Sequence, residues 1–513
     1  MTGPRRLGVV GAGTMGAGIA QLGVRAGCET VLHDPVPEAL ERGAASAESG
    51  LERWRAKGVE TPGSLATAAE LDGLAGCDLV IEAAPERIEL KRELFASLSE
   101  VCGDEAVLAT NTSSIPVTAI ANAAARPENV VGMHFFNPAP LMTLLEVIAA
   151  DQTSERALAL ARETGEAMGK RVIVAADGPG FLVNRCGRPF YTEALRVLQE
   201  RVASHEQIDT VCRLGGGFRM GPFELMDLVG IDTGYEVAQS FMRLSYSEPR
   251  WRPNPIQARM AAAGRLGRKS GRGYYDYSGE GPHRPDDPEP REPGGGDGRT
   301  VVMIGDSALA VALRARAGQA GFDVRPHAPD PWLTLITESE VADLIPVQMM
   351  GPRARLCVNS LAEQRDPDAA GFMVVPPIEE SRLAELARLR TTPGETCERT
   401  QAFFEAMGME HEWVADAPGL VLGRIVGQLV NEAAFAIGEG VGSAGDVDAG
   451  LELGLNHPRG AVAWGEAIGL EAVLDQLEAV WLERREDRYR PAPSLRTAAL
   501  TGASLREAWP PQT

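Results

Sequence analysis

Four side chains in the first half of the chain have the types needed to take a proton from an alcohol: His134, Glu146, Ser113 and Asn184. His134 follows an apolar run, in His134-Phe135-Phe136-Asn137-Pro138, and is one of 7 histidines. An imidazole there can act as general base toward a hydroxyl while hydride leaves the same carbon for a nicotinamide. Glu146 lies past the turn formers Pro138 and Pro140, so it can return to fix the imidazole tautomer and stabilise its cation. Ser113, within Thr110-Asn111-Thr112-Ser113-Ser114, and Asn184 can donate hydrogen bonds to a substrate oxygen as charge develops. Singly, each has an ordinary structural role as core histidine, turn former or solvated carboxylate. Together they read as a site.

The nicotinamide has its own signal. Gly11-Ala12-Gly13-Thr14-Met15-Gly16 follows a predicted strand and opens a predicted helix. The first two glycines permit a tight turn and close approach of backbone to a pyrophosphate, and the third permits close helix–strand packing. Asp34 ends the next predicted strand about 20 residues on, where a carboxylate binds a ribose 2′-hydroxyl and repels a 2′-phosphate. NAD is therefore expected rather than NADP, and no metal site is expected.

The elements that must position these residues follow from the hydrophobic pattern. Apolar runs at Leu7–Val10, Thr30–His33, Leu79–Glu82, Val107–Thr110 and Val130–Phe136 alternate with helical patterns. That rhythm predicts βαβ units and a Rossmann-type parallel sheet. From Asp177-Gly178-Pro179-Gly180 onward the pattern turns helical, predicting a separate all-α domain. Residues 278–299 hold five prolines and six glycines and no large apolar residue, so they read as a linker.

After the linker the pattern restarts. Val301-Val302-Met303-Ile304-Gly305 aligns with Leu7–Gly11 at an offset of 294. At an offset of 239, residues 177–230 match 416–469 at 14 of 54 positions, which marks an internal duplication. The copy is degenerate. His134 becomes Met373 and Asn184 becomes Gly423, while Gly13 and Gly16 become Ser307 and Ala310. Glu385 persists without a histidine to orient. The expected layout is a Rossmann domain over 1–183, a helical domain over 184–277, the linker 278–299, a degenerate Rossmann segment over 300–415 and a second helical domain over 416–513.

Composition narrows the partners. At about 150 residues per domain, 513 residues predict three or four domains. A net charge of −21 argues against nucleic acid and anionic membrane surfaces. Seven widely spaced cysteines without a C-x-x-C pair fit a reducing cytosol, so a cytoplasmic location is expected. The basic Arg5-Arg6 and the apolar run after it resemble a signal peptide only in part, because glycines interrupt the run and it enters the nucleotide motif.

At these residues the chain resembles the L-3-hydroxyacyl-CoA dehydrogenases of fatty-acid β-oxidation and related pathways. The matching motifs are Gly11–Gly16, Ile81-Glu82-Ala83-Ala84-Pro85-Glu86, Asn111–Ser114, His134–Pro138, Asp177–Arg185, Met220–Glu224 and Gly267–Gly271. They cover residues 1–277 in family order. The resemblance implies His134 as base, Glu146 as its partner, and Ser113 and Asn184 at the substrate oxygen. It also implies Glu86, Lys91, Asn111, Ser113, Asn137 and Lys269 beside NAD, and Lys57 near coenzyme A phosphate. Lys57 sits with Arg53 and Arg55 in a local basic patch suited to a polyanionic thioester, though a solvated helix face reads equally well. Thr143 stands where many relatives carry a lysine.

The expected reaction is NAD-dependent oxidation of an L-3-hydroxyacyl-CoA to the 3-oxoacyl-CoA, on a short-chain or dicarboxylic substrate. Two alternatives stay open: a dehydrogenase of a non-CoA hydroxy acid such as L-gulonate, and a non-catalytic nucleotide-binding or structural protein. A bifunctional hydratase–dehydrogenase is disfavoured, since the duplication accounts for the whole chain. The second copy is expected to form an intramolecular pseudo-dimer of helical domains with the first, with a homodimer also open.

Overall fold

A computed structural model describes residues 4–338, 350–358 and 366–507; parts of the expected second Rossmann segment and the last residues lie outside these. Eight strands form the first sheet: β1 (Arg6–Val10), β2 (Glu29–His33), β3 (Ser64–Ala68), β4 (Leu79–Glu82), β5 (Val107–Thr110), β6 (Val130–Phe135), β7 (Leu144–Ala149) and β8 (Arg171–Ala176). Their order is β3-β2-β1-β4-β5-β6-β7-β8. The doubly wound order puts the carboxyl ends of β1 and β4 at a switch point, where such sheets bind ligands. Strands β1, β2, β4 and β5 are buried along nearly their whole length, as expected where helices cover both faces.

The sheet is parallel, as expected, but for one pair. Strand β7 runs antiparallel to β6, and β8 then pairs parallel to β7. The turn Pro138–Met142 sends the chain straight back, so no crossover helix intervenes. This hairpin sets His134 directly opposite Glu146.

The second sheet comprises β9 (Thr300–Ile304), β10 (Asp323–Arg325), β11 (Leu333–Ile336), β12 (Arg353–Leu356), β13 (Ala370–Met373), β14 (Leu383–Ala387) and β15 (Glu410–Val414). Its order, β10-β9-β11-β12-β13-β14-β15, repeats the first sheet without a counterpart of β3 among the described residues. Strand β14 is antiparallel to β13, and Met373 pairs with Glu385. The duplicated register thus survives the loss of the histidine.

The chain divides into two compact units that are not contiguous in sequence. One holds residues 1–185 with 439–455; the other holds 186–438 with 456–513. In the first, the helix Ala444–Leu455 packs on β7 and β8. In the second, the helical segment Val211–Gly215, part of the counterpart of that helix at offset 239, packs on β14, and Arg382 N–H donates to Leu214 C=O at 2.9 Å. Each sheet is covered by a segment of the other copy's helical pattern. Within the second unit, Arg424 is buried and binds Glu193, Glu200 and the Tyr489 hydroxyl.

The 278–299 segment has no regular element but is pinned by charge. Glu224 accepts from Arg213, His283 and Arg284 at 2.9, 2.8 and 2.7 Å. Burial alone would raise its carboxyl, yet these donors hold it down at about 2.

Candidate active site

The nucleotide loop separates the roles of its three glycines. Gly11 has φ +95°, and a Cβ there would meet Ala83 O at 2.7 Å. A Cβ on Gly16 would lie 1.7 Å from Gly11 O, so the helix Thr14–Arg25 can pack this close to β1 only with glycine. A Cβ on Gly13 would meet nothing within 4 Å. Gly13 is exposed at the N-cap, beside Thr14 and the half-buried Met15, and leaves the space in front of the helix N-terminus open. Asp34 accepts the Ala12 and Val36 N–H groups, both at 2.9 Å, at the tip of β2.

Beneath the ends of β4 and β5 lies a charged network. The Lys91 ammonium, 1% exposed, is 2.7 Å from Glu82, and Glu82 also accepts from Thr110 and Ala84 N–H. Lys91 also lies 3.4 Å from Glu86. Glu86 Oε1 gathers the Thr112 hydroxyl at 2.6 Å, the Ser114 hydroxyl at 3.0 Å, and the Ser113 and Ser114 N–H groups at 3.1 and 3.2 Å. Burial opposes ionisation of Glu86, but Lys91 and these donors outweigh it and hold its pKa below the usual range. The loop is thereby fixed with Ser113 exposed. Asn111 accepts Phe135 N–H at 2.8 Å, tying the loop to β6.

His134 is buried, and its Nδ1 lies 2.9 Å from Glu146 Oε2. A carboxylate only accepts, so Nδ1 carries the proton and Nε2 keeps the lone pair. Nε2 has no protein partner among the described residues. Phe136 stands 4.6 Å from the imidazole, centroid to centroid, and Phe181 6.0 Å. The other oxygen of Glu146 accepts the Leu182 and Val183 N–H groups at 2.8 and 3.1 Å, where the helix Val183–Gln199 begins. Asn184 is the second residue of that helix and half-buried. Asn137 is exposed just beyond β6.

Two of the expected residues have contacts of their own. Lys57 is exposed at the C-cap of the helix Pro37–Ala56, with Arg55 bound to Glu48 and Thr61, both at 2.9 Å. Lys269 belongs to the second unit, where it pairs with Asp232 at 2.6 Å. Several contributors are not among the expected site residues. Lys170 donates to the carbonyls of Ala139 and Met142 at 2.5 and 2.6 Å, clamping the β6–β7 turn, and burial with nearby Arg25 lowers its ammonium to about 8. Thr112 and the Leu182 and Val183 amides are set by tertiary geometry alone.

The second copy shows what the same frame does without the chemistry. Glu385 accepts Val421 and Leu422 N–H at 2.7 and 3.0 Å, the counterparts of Leu182 and Val183. The glutamate is thus first a cap for the helix that follows, and it orients a histidine only where one exists. In the degenerate loop, Glu338 Oε1 takes the Asp306 and Ser307 N–H groups at 2.9 and 2.6 Å, and Ser307 Oγ takes Ala310 N–H at 3.3 Å. A cavity of about 740 Å³ remains there, lined by Ser307, Glu338, Met373, Gly423 and Gln476 among others.

The model of the 3-hydroxyacyl-CoA dehydrogenase NAD-binding domain matches residues 6–178, and that of its C-terminal domain matches 180–277 and again 419–508. The chain belongs to the 3-hydroxyacyl-CoA dehydrogenase family. It is 34% identical to the 3-hydroxyadipyl-CoA dehydrogenase of Escherichia coli over 499 residues, 96% of this chain and 97% of that one. It is 41% identical to a probable 3-hydroxybutyryl-CoA dehydrogenase of Deinococcus radiodurans over 278 residues, 53% of this chain and all of the relative. A crystal structure described as 3-hydroxybutyryl-CoA dehydrogenase from Escherichia coli superposes with a TM-score of 0.81 at 32% identity, covering 97% of this chain and 98% of that one. This family member is therefore an NAD-dependent oxidoreductase of 3-hydroxyacyl-CoA. Among the described residues no helix is long and apolar enough to cross a membrane, and no three or more His, Cys, Asp or Glu side chains gather as a metal site would require.

Proposed function

We propose that His134 Nε2 is the general base that takes the 3-hydroxyl proton of an L-3-hydroxyacyl-CoA. Bound NAD supplies the hydride acceptor. Glu146 holds the proton-bearing Nδ1 and compensates the positive charge that His134 gains. Ser113 and Asn184 hydrogen-bond the reacting oxygen as it becomes a carbonyl. Gly11, Gly13, Thr14, Met15, Gly16 and Asp34 hold the dinucleotide, and Glu86, Lys91, Asn111, Asn137 and Lys269 complete its surroundings. Lys57 meets coenzyme A phosphate. Residues 1–183 and 184–277 act as the cofactor and substrate domains. The reading is carried by the 2.9 Å contact of Glu146 with His134, which leaves the opposite ring nitrogen free of protein partners among the described residues.

The relatives are named for 3-hydroxyadipyl-CoA and 3-hydroxybutyryl-CoA, which supports a short-chain or dicarboxylic acyl group here. Residues 416–513, by pairing with 184–277 as a pseudo-dimer, stand in for a second subunit. The cysteines, all free, suit a cytosolic setting. The test is oxidation of NADH by a panel of 3-oxoacyl-CoAs and the matching free acids, wild type beside His134→Ala. Activity on the thioesters that the variant loses is the expected result. Full activity in the variant overturns the assignment.

A further inference from the structure

The hairpin that carries His134 and Glu146 is braced by residues of the degenerate copy. Gly454 of the helix Ala444–Leu455 faces three side chains: a Cβ built on it would come 2.8 Å from Leu144 Cδ2, 3.2 Å from Val183 Cγ1 and 3.3 Å from Phe136 Cε1. Gly450, one turn earlier on the same helix face, would place a Cβ 2.8 Å from Val183 Cγ2. The helix is anchored before its first turn by Ala176 N–H to Val441 C=O at 2.9 Å and by Arg185 to Glu439 at 2.7 Å.

Each of the three residues pressed by these glycines leads to the reacting atoms. Phe136 packs its ring on the His134 imidazole. Val183 gives its N–H to Glu146, and Leu144 precedes Glu146 by two residues on the same face of β7. The silent half supplies a comparison. Gly215 is the counterpart of Gly454, and a Cβ there would stay 3.3 Å from Leu422 Cδ2 and 3.7 Å from Leu383 O. Gly450 has Val211 as its counterpart, and Phe136 has Val375. The closer fit lies on the side that carries the histidine.

We propose that Gly450 and Gly454 are positioning residues for the dehydrogenase reaction: through Phe136 and Val183 they let the second copy hold His134 and Glu146 in register. The inference rests on the reading of His134 as base. A displacement near 1 Å at reacting groups can cost up to about 10²-fold in rate, so Gly454→Ala is expected to lower kcat roughly tenfold. The KM for NADH should stay put, because the Gly11–Gly16 loop is untouched.

The experiment measures kcat and KM with acetoacetyl-CoA and NADH on full-length chains carrying Gly454→Ala, Phe136→Leu, both, or Gly445→Ala. Gly445 is the control, since a Cβ there meets only Ser443 Oγ at 3.9 Å. The expected result is a kcat loss in Gly454→Ala that the smaller leucine side chain of Phe136→Leu partly relieves, giving a double variant more active than the two single losses multiplied. Wild-type kcat in Gly454→Ala overturns the proposal. So does a loss that multiplies independently with Phe136→Leu and tracks a lower melting temperature. Full activity in His134→Ala would instead overturn the underlying site assignment.

Discussion

Arg185 donates to Glu439 over 2.7 Å, and with the copies exchanged the same bond recurs as Arg424 to Glu200, also 2.7 Å. Glu432 accepts from Arg250 at 2.9 Å, and Glu193, its counterpart, accepts from Tyr489, the counterpart of Arg250, at 3.2 Å. Contacts in which residue i of one copy meets j of the other, and j meets i, are the mark of a two-fold interface. The proposed pseudo-dimer requires this pattern.

Arg424 is the place to test it. Removing its guanidinium leaves Glu193 and Glu200 short of a buried counter-charge, which costs about 3–5 kcal/mol in comparable buried pairs. Arg424→Met should unfold at clearly lower denaturant than wild type, read by circular dichroism. Truncation after Ser278 also removes Ala444–Leu455 from β7 and β8. Light scattering should then show aggregation or a new dimer; a stable, monodisperse monomer is the contrary outcome.

Substitutions at Gly13 and Gly16 should fail in different ways. Gly13→Ala meets no atom in the folded chain, so stability should stay within about 0.5 kcal/mol while NAD affinity falls. Gly16→Ala must push against the Gly11 carbonyl, so folding itself should suffer. Titration calorimetry with NAD and thermal melts on both variants separate the cases. Calorimetry on wild type should give one NAD per chain, because the second loop already holds Glu338.

His134→Ala should lose roughly 10²–10⁴ in kcat, the usual worth of a positioned base. Glu146→Gln should also lower kcat at unchanged KM for NADH, since it weakens support for the imidazolium. NADH absorbance with acetoacetyl-CoA reads both.

Glu385 offers a pH signature unconnected with turnover. Burial lifts its carboxyl from the ordinary 4.5 to about 8, against the pull of the Val421 and Leu422 amides. Between those values the unfolded chain ionises while the folded one stays protonated, so this group's contribution to stability is present below 4.5 and declines as pH rises toward 8. Glu385→Gln should flatten that decline. Denaturant midpoints of wild type and variant at pH 5 and pH 8 make the comparison, with equal slopes as the contrary result.

Much of the site is readable from residue types. The strands β1, β2, β4, β5 and β6 announce themselves as apolar stretches beside turn formers, and Gly11–Gly16, Asp34 and His134 sit at or near the ends of β1, β2 and β6. Strand β3, Ser64–Ala68, escapes because its side chains are mostly exposed and carry little apolar signal. Strand β7 hides because a glutamate interrupts its apolar run, and its antiparallel direction depends on pairing that no local pattern encodes. The Lys170 clamp and the exchange of Ala444–Leu455 depend on partners distant in sequence. They become visible only when the chain is folded.

The carboxylate of Glu338 over the second loop has a consequence for reversibility. A ligand returning to that loop would compete with an anion tethered to the same chain, whose effective concentration is on the order of millimolar. Restoring glycine at positions 307 and 310 would rebuild the backbone shape and leave this built-in competitor in place. Recovery of nucleotide binding in the second half therefore needs the loop and residue 338 to change together.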